Sequence, residues 1–228
     1  MIITLTHRAL VRFSRPDAVA FLNDLITAEV PLSHAEGVRP AALLTPQGRI
    51  LFDLLISRDG DDILLELDRD RRDDFIKKMM MYRLRRDVGI DIEAMPVHAV
   101  IGTEDIAVIN DTRFTHPDIK TKVGRYYGTP AKDYTDNAVL WAAFRYEHGV
   151  PEGADEMMPE KAMPLEARLD LSGGISFEKG CYIGQEVTAR TRYRGLVKRS
   201  YLPILLSASI TVPHDITAEG KVVGEVIG

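Results

Sequence analysis

The residues best suited to chemistry lie in one stretch, "KGCYIGQEVTAR", at positions 179–190. It holds the only cysteine of the chain, Cys181, between two glycines and close to Lys179. A cysteine in such a setting has four uses: nucleophile, metal ligand, redox group or small packing residue. A nearby lysine would help a nucleophile by favouring the thiolate. These residues alone leave the four uses open.

The rest of the chain limits which of these four uses of Cys181 is available. No histidine lies within thirty residues of Cys181, so a general base would have to come from tertiary proximity. No CxxC or HxxxH pair and no Walker A sequence occurs either. Metal sites built by one chain need clustered cysteine or histidine ligands. We therefore expect no metal site formed by this chain alone.

The same stretch closes a glycine-rich loop. Within 12 residues the loop has four glycines: Gly173, Gly174, Gly180 and Gly184. Glycine is costly in chain entropy unless a special backbone conformation or close approach requires it. Gln185 and Glu186 follow, and a carboxylate matches two adjacent N–H donors of a heterocycle. The pattern predicts a loop that faces a polar ligand.

A second group of candidate residues lies on a helix predicted over 133–151. Trp141, Arg145 and His148 are four and three residues apart and share one face, with Glu147 about a quarter-turn away. A lone tryptophan on a buried helix is as often core as functional. In the functional interpretation the indole stacks on an aromatic ligand while Arg145 pairs with a carboxylate. One helix alone does not distinguish the core interpretation of Trp141 from the functional one.

Composition places these residues in a soluble globular protein. The chain has 228 residues, 45% apolar and 28% charged. Its net charge of −5 argues against a general nucleic-acid binder, and no run approaches the roughly 20 apolar residues of a membrane helix. The basic stretch "ARTRYRGLVKR" at 189–199 is equally well a strand edge or a site for an anionic ligand. The N-terminus resembles a strand rather than a secretory leader, and one cysteine fits a reducing compartment, so we expect a cytoplasmic protein.

The predicted elements indicate an α+β fold with helices packed on antiparallel sheets. Residues 2–13 predict a strand, and Pro16 begins a helix. "AALLTPQGRILFDLLIS" predicts a hairpin, "ILLELD" a further strand, and a charged helix runs to about Arg86. "VHAVIG" and "IAVIND" predict short strands, 111–130 predicts loops, and the C-terminal residues predict strands and turns. The helix at 133–151 is apolar nearly all round, which predicts burial between layers.

Beyond these patterns, "GISFEKGCYIGQEVTAR" closely resembles the signature of the YgfZ-type folate-binding proteins, which include mitochondrial iron–sulfur cluster assembly factors. "FLNDLITAEV", "LLTPQGRILFDLLI", "YRLRRDV" and "FRYEHGVPEG" match further landmarks of that family in order. The resemblance implies kinship with the T-protein of the glycine cleavage system and a ring of domains around a central channel. The expected segments are an α+β domain (1–94), a second α+β segment (95–165), the signature loop (166–194) and a short or truncated C-terminal β-barrel-like domain (195–228).

The function implied by the resemblance is tetrahydrofolate binding in support of iron–sulfur protein assembly or repair, including radical enzymes that modify tRNA. Trp141 falls where the family places a folate-contacting tryptophan, and Cys181 would do redox or transfer work. The residues expected to bind folate are Trp141, Arg145, Glu147, Lys179, Tyr182, Gln185 and Glu186. The expected partners are reduced folate and iron–sulfur client proteins, with no direct nucleic acid and no membrane, and a monomer is expected.

The chain departs from the T-protein pattern at one decisive place. The T-protein has two adjacent carboxylates in the hairpin strand, whereas this chain has Phe52 followed by Asp53. A phenyl ring cannot bind or orient an amine, so classical aminomethyl transfer is not expected. Arg8 stands where some relatives have a second tryptophan. A folate-dependent aminomethyltransferase or another one-carbon transferase is the alternative function.

Overall fold

A computed structural model of the chain describes residues 1–102, 107–131, 133–207 and 209–227. The described residues form antiparallel sheets with packed helices, which confirms the α+β class. The predicted strand "IAVIND" begins at Ile106, and the chain end predicted as strand-like is Gly228; both residues lie outside the described ranges.

The largest sheet has five strands and gives the site its rigid base. In spatial order the strands are β3 (Arg39–Leu44), β4 (Ile50–Asp59), β5 (Asp62–Asp68), β2 (Arg8–Ser14) and β6 (Gly89–Glu93). Helices α1 (Ala18–Asn23) and α2 (Arg72–Arg83) cover one face, where Phe13, Phe21 and Phe75 form the centre of a hydrophobic core. Both predicted hairpins are confirmed. Strand β4 pairs with β3 across the turn at Pro46–Gly48 and with β5 across the turn at Gly60.

The other face of this sheet is covered by the chain between 157 and 182. Ala42, Leu44 and Ile50 of the sheet pack there against Leu165 and Leu169. Alternation along β4 therefore sends Phe52 to the helix side, while Asp53 points to the opposite face.

A four-stranded sheet adjoins the first. Its spatial order is β1 (Ile2–Thr4), β7 (Val97–Ile101), β9 (Val123–Tyr127) and β8 (Ile109–Asn110). The prediction of one strand over 2–13 is wrong, because the chain turns where the Arg8 N–H donates to the Leu5 carbonyl. Its first part pairs with β7 and its second with β5 and β6. The prediction of loops throughout 111–130 is also wrong, since β9 lies within that range.

Two helices that carry predicted site residues differ from the sequence predictions. Helix α3 (Ala138–Glu147) buries Trp141 but leaves Val139 73% exposed, so it is not buried all round. Helix α4 (Gln185–Tyr193) forms in the last part of the expected signature loop and includes residues 189–193 of the basic stretch, for which the sequence predicted a strand edge or an anion site. Its Thr188 and Thr191 hydroxyls donate to carbonyls four residues earlier, which satisfies both hydroxyls within the helix.

The C-terminal segment forms a hairpin of β10 (His214–Ala218) and β11 (Lys221–Val226). Within the described residues, no helix has both the length and the apolar character needed to cross a membrane.

Two glycines hold α4 against the β3–β4 turn. Gly184 precedes α4 with φ +81°, and a Cβ there would lie 2.7 Å from the Thr45 carbonyl oxygen. From the other side, a Cβ on Gly48 would lie 3.0 Å from Val187. This close approach of two distant glycines explains why the signature has a glycine at position 184.

We expect Gly184→Ala to lower the free energy of unfolding by about 2–5 kcal/mol, because steric overlap adds to the cost of a left-handed backbone. Gly60→Ala is the matched control: Gly60 also has positive φ but no neighbour within 4 Å. The control should lose about 1–2 kcal/mol. Urea unfolding measures both, and equal losses would contradict the close contact.

Candidate functional site

Lys179 fixes the signature loop to the end of helix α1. Its Nζ donates hydrogen bonds to the carbonyl oxygens of Asn23, Ile26 and Ala28 at 3.0, 2.5 and 2.7 Å. Burial lowers the pKa of Lys179 to about 8. The ammonium group satisfies three carbonyls near the end of α1, so its main role in this structure is to position the loop.

Tyr182 anchors the loop on the other side of the thiol. Its ring is buried against the core beneath the sheet, and the Lys179 ammonium lies 4.9 Å from the ring centroid. Burial raises the pKa of Tyr182 to about 12, and its hydroxyl has no hydrogen-bond partner among the described residues. Between the half-buried Lys179 and the buried Tyr182, Cys181 is exposed. The motif therefore presents one thiol to solvent on a loop held at both sides.

The remaining polar residues of the predicted site lie at the surface. Gln185 begins α4, with its Nε2 3.4 Å from the Gly180 carbonyl oxygen, and Glu186 next to it is exposed. Glu147 is exposed at the end of α3. The signature residues pack with the core of Leu165 and Tyr182, a different core from that of Trp141.

Trp141 is sealed in the interior. Only 1% of its surface is exposed, its Nε1 donates to Glu152 Oε1 at 2.9 Å, and the Arg125 guanidinium lies 4.8 Å from its ring centroid. Phe144 stacks on the same indole at 6.1 Å. In this structure the indole belongs to a packed core and does not form an open platform.

The Arg145 guanidinium is likewise engaged by hydrogen bonds within the protein. Its guanidinium donates to both carboxylate oxygens of Glu156, at 2.9 and 2.7 Å, and to the Val150 carbonyl. The side chain is 5% exposed. A ligand carboxylate would have to displace Glu156 to reach it.

These contacts belong to a buried set of ion pairs, here called the central network. Its members are the arginines Arg8, Arg113, Arg125 and Arg145 and the carboxylates Asp53, Glu66, Asp68, Asp111, Glu152 and Glu156. Glu66 accepts from Arg8 and from Arg125, both at 3.0 Å, which joins the two larger sheets. Glu152 accepts from Arg125 at 2.6 Å and from Arg113 at 2.8 Å.

The network sets the charge states of its members. Burial alone would raise the pKa of Glu152, but Arg125, Arg113 and Arg145 outweigh it and hold that pKa well below its ordinary value. Asp53 is the opposite case: burial raises its pKa despite the attraction of Arg8. Asp53 is therefore the carboxylate of this pair better suited to carry a proton.

Asp53 faces a crevice beside the central network. Its lining includes Arg113, Pro151, Met157 and Leu169, but neither Trp141 nor Cys181. The cavity volume is about 10 Å³, about the minimum for one water molecule. Among the described residues, no group of three or more His, Cys, Asp or Glu side chains could hold a metal ion.

Sequence reasoning did not identify the central network. A signal was present in single charges within apolar strands: Glu66 in "ILLELD" and Arg125 in "VGRYY". A buried charge requires a partner, so such residues indicate pairing across the fold. Arg8 and Glu66 are 58 positions apart, and the pairing could not be assigned from spacing.

The chain is similar to proteins named as iron–sulfur cluster assembly factors. It is 33% identical over 260 residues to the human mitochondrial assembly factor IBA57, covering 97% of this chain and 72% of the human protein. The mouse IBA57 protein is 31% identical over 266 residues, again covering 97% and 72%. The chain belongs to the IBA57 family. No protein-family model matches the chain.

The IBA57 family also includes a homologue from Pyricularia oryzae that is 33% identical over 244 residues. The match covers 95% of this chain but 62% of that protein, so the chain spans less than two thirds of that relative. The resemblance drawn from the signature is thus confirmed as kinship with IBA57 assembly factors.

The fold also matches a solved structure, aminomethyltransferase T of the glycine cleavage system from Bartonella henselae. The TM-score is 0.61 at 14% identity, over 85% of this chain and 63% of the other. At this identity the match shows the fold alone.

The predicted cytoplasmic location is wrong, because the IBA57 relatives are named as mitochondrial proteins. The physical reason is simple: a single cysteine indicates a reducing environment and does not distinguish the cytoplasm from other reducing compartments.

We expect Arg125→Met to lower the free energy of unfolding by about 3–5 kcal/mol, because Glu66 and Glu152 would lose a buried partner. Lys77→Met is the control, since Lys77 is 76% exposed and pairs only with exposed Asp74. The control should change stability by less than about 1 kcal/mol. Urea unfolding distinguishes them, and a small loss for Arg125→Met would contradict the network's structural role.

Proposed function

We propose that this chain assists iron–sulfur protein assembly through the exposed thiol of Cys181. The observation that carries the proposal is the alternation in the signature: Lys179 and Tyr182 are held inward while Cys181 faces solvent. The names of the IBA57 relatives support it independently.

A single thiol limits what the chain can do with a cluster. Iron–sulfur clusters are held by four ligands, mostly cysteine thiolates, and this chain has one cysteine. We propose that Cys181 supplies one thiolate, releasing its proton as it binds iron, while a client or carrier protein supplies the others. The thiol then acts only within a complex of two proteins.

Further details of the proposal rest on the YgfZ resemblance. They are a monomer, a ring of domains around a channel with a C-terminal barrel, and clients that include tRNA-modifying radical enzymes. The aminomethyltransferase alternative is less well supported, since Phe52 is buried against Phe75 at 5.3 Å and only Asp53 faces the crevice.

We expect Cys181→Ser to abolish recovery of iron–sulfur enzyme activity in cells that lack the endogenous IBA57 protein, because serine is a poor iron ligand. Aconitase activity in extracts provides the measurement. Gly180→Ala is the control, since a Cβ there meets no atom within 4 Å and the thiol is retained. Full recovery with Cys181→Ser would remove the thiol from the mechanism.

The YgfZ resemblance implies reduced folate as the ligand. The site residues, however, do not fit a pterin as they stand: Trp141 is covered by Arg125, Arg145 by Glu156, and the crevice at Asp53 admits one water at most. Folate binding through Trp141 would therefore require the central network to open. We assign no step of assembly to folate.

We expect tetrahydrofolate to leave the melting temperature of the chain unchanged, because a ligand stabilises only a state that has room for it. Differential scanning fluorimetry with increasing tetrahydrofolate measures this. A concentration-dependent rise that disappears in Trp141→Ala would contradict the closed centre and restore the indole as a folate platform.

A further inference from the structure

A basic concavity lies at the C-terminal end of α2, within the landmark "YRLRRDV" that the proposed function does not use. Its volume of about 460 Å³ falls within the range of ligand sites in proteins. The residues that line it are Arg15, Met80, Arg83, Leu84, Arg85, Arg86, Asp87, Val88, Gly89, Ile90 and Asp91.

The charges of this concavity are only partly compensated. Arg15 pairs with Asp87 at 3.0 Å, and Arg86 pairs with Asp24 at 2.6 Å. Arg85 is exposed, and no carboxylate of the described residues lies within ion-pair distance of it or of Arg83. Arg83 is half-buried and donates one hydrogen bond to the Val88 carbonyl oxygen at 3.4 Å, so Arg85 and the remaining N–H groups of Arg83 are available to an anionic group.

Large apolar side chains stand beside these arginines. Met80, Met81 and Leu84 are 45%, 72% and 84% exposed. Methionine adapts its shape to a partner, and arginine beside methionine is typical of protein interfaces. A small anion alone would leave these apolar groups in water.

Two residues of the walls have strained backbones. Arg15 has φ +76° and Leu84 has φ +50°, although neither is glycine. Positive-φ conformations of non-glycine residues cost about 1–3 kcal/mol and concentrate at functional sites. The Leu84 side chain is exposed, so its burial in this chain does not offset the cost of the strained backbone.

We propose that this concavity binds an acidic segment of a partner protein, whose carboxylates pair with Arg83 and Arg85 and whose apolar side chains pack on Met80 and Leu84. A lipid bilayer is disfavoured because its surface cannot enter a concavity, whereas a peptide can. The inference is independent of Cys181 and adds a docking surface to the proposed function.

The test uses a fluorescein-labelled peptide of alternating glutamate and leucine, and a matched peptide with glutamine for glutamate. By fluorescence anisotropy we expect the acidic peptide alone to bind, more weakly as salt rises, and Arg85→Glu to weaken it at least about tenfold. Lys122→Glu, an exposed charge reversal elsewhere, should bind like wild type. Leu84→Gly, which suits a backbone at φ +50° and ψ −112°, should also weaken binding without loss of fold.

Equal binding of the two peptides, or unchanged binding by Arg85→Glu, would overturn the proposal. So would complete displacement by inorganic phosphate at equal concentration, which would indicate a small-anion site, or tighter Arg85-dependent binding to vesicles containing phosphatidylserine. Cys181→Ser should bind the acidic peptide like the wild type. Failure of the docking proposal and failure of the thiol mechanism can therefore be told apart.

Discussion

The structure depends on two buried carboxylates, Glu66 and Glu152, held between arginines from separate parts of the chain. Arg8 and Arg125 meet at Glu66, and Arg113 and Arg125 meet at Glu152. Buried ion pairs add little net stability compared with apolar packing, but losing one partner is costly. The network therefore acts chiefly on orientation: it fixes the two larger sheets relative to each other and holds helix α3 through the Trp141–Glu152 hydrogen bond.

This arrangement separates the two features that first suggested chemistry. The indole hydrogen bonds to the central network and is inaccessible, whereas the thiol lies at the surface on a loop pinned by Lys179 and by the contact of Gly184 with the β3–β4 turn. A loop ordered in the free protein loses less conformational entropy when it meets a partner. A rigid scaffold with one presented thiol suits transfer between proteins better than catalysis in an enclosed pocket.

Local patterns in the sequence predicted much of the fold. The hairpin at Gly48 and helix α2 followed from turn residues and spacing, and the signature identified the family. Helix α4 was missed because its valine, threonines and tyrosine favour strands, and only the close contact at Gly184 shows how the helix begins. The closed state of Trp141 depends on Arg125 and Glu152, whose pairing is tertiary, so no local pattern could reveal it.

The Arg125–Glu152 interactions close the interior around Trp141. Acrylamide quenching of the intrinsic tryptophan fluorescence tests it directly, because Trp141 is the only tryptophan of the chain. We expect weak quenching in the native protein that becomes strong on unfolding in urea. Native quenching as strong as that of the unfolded chain would show an accessible indole and contradict the closed interior.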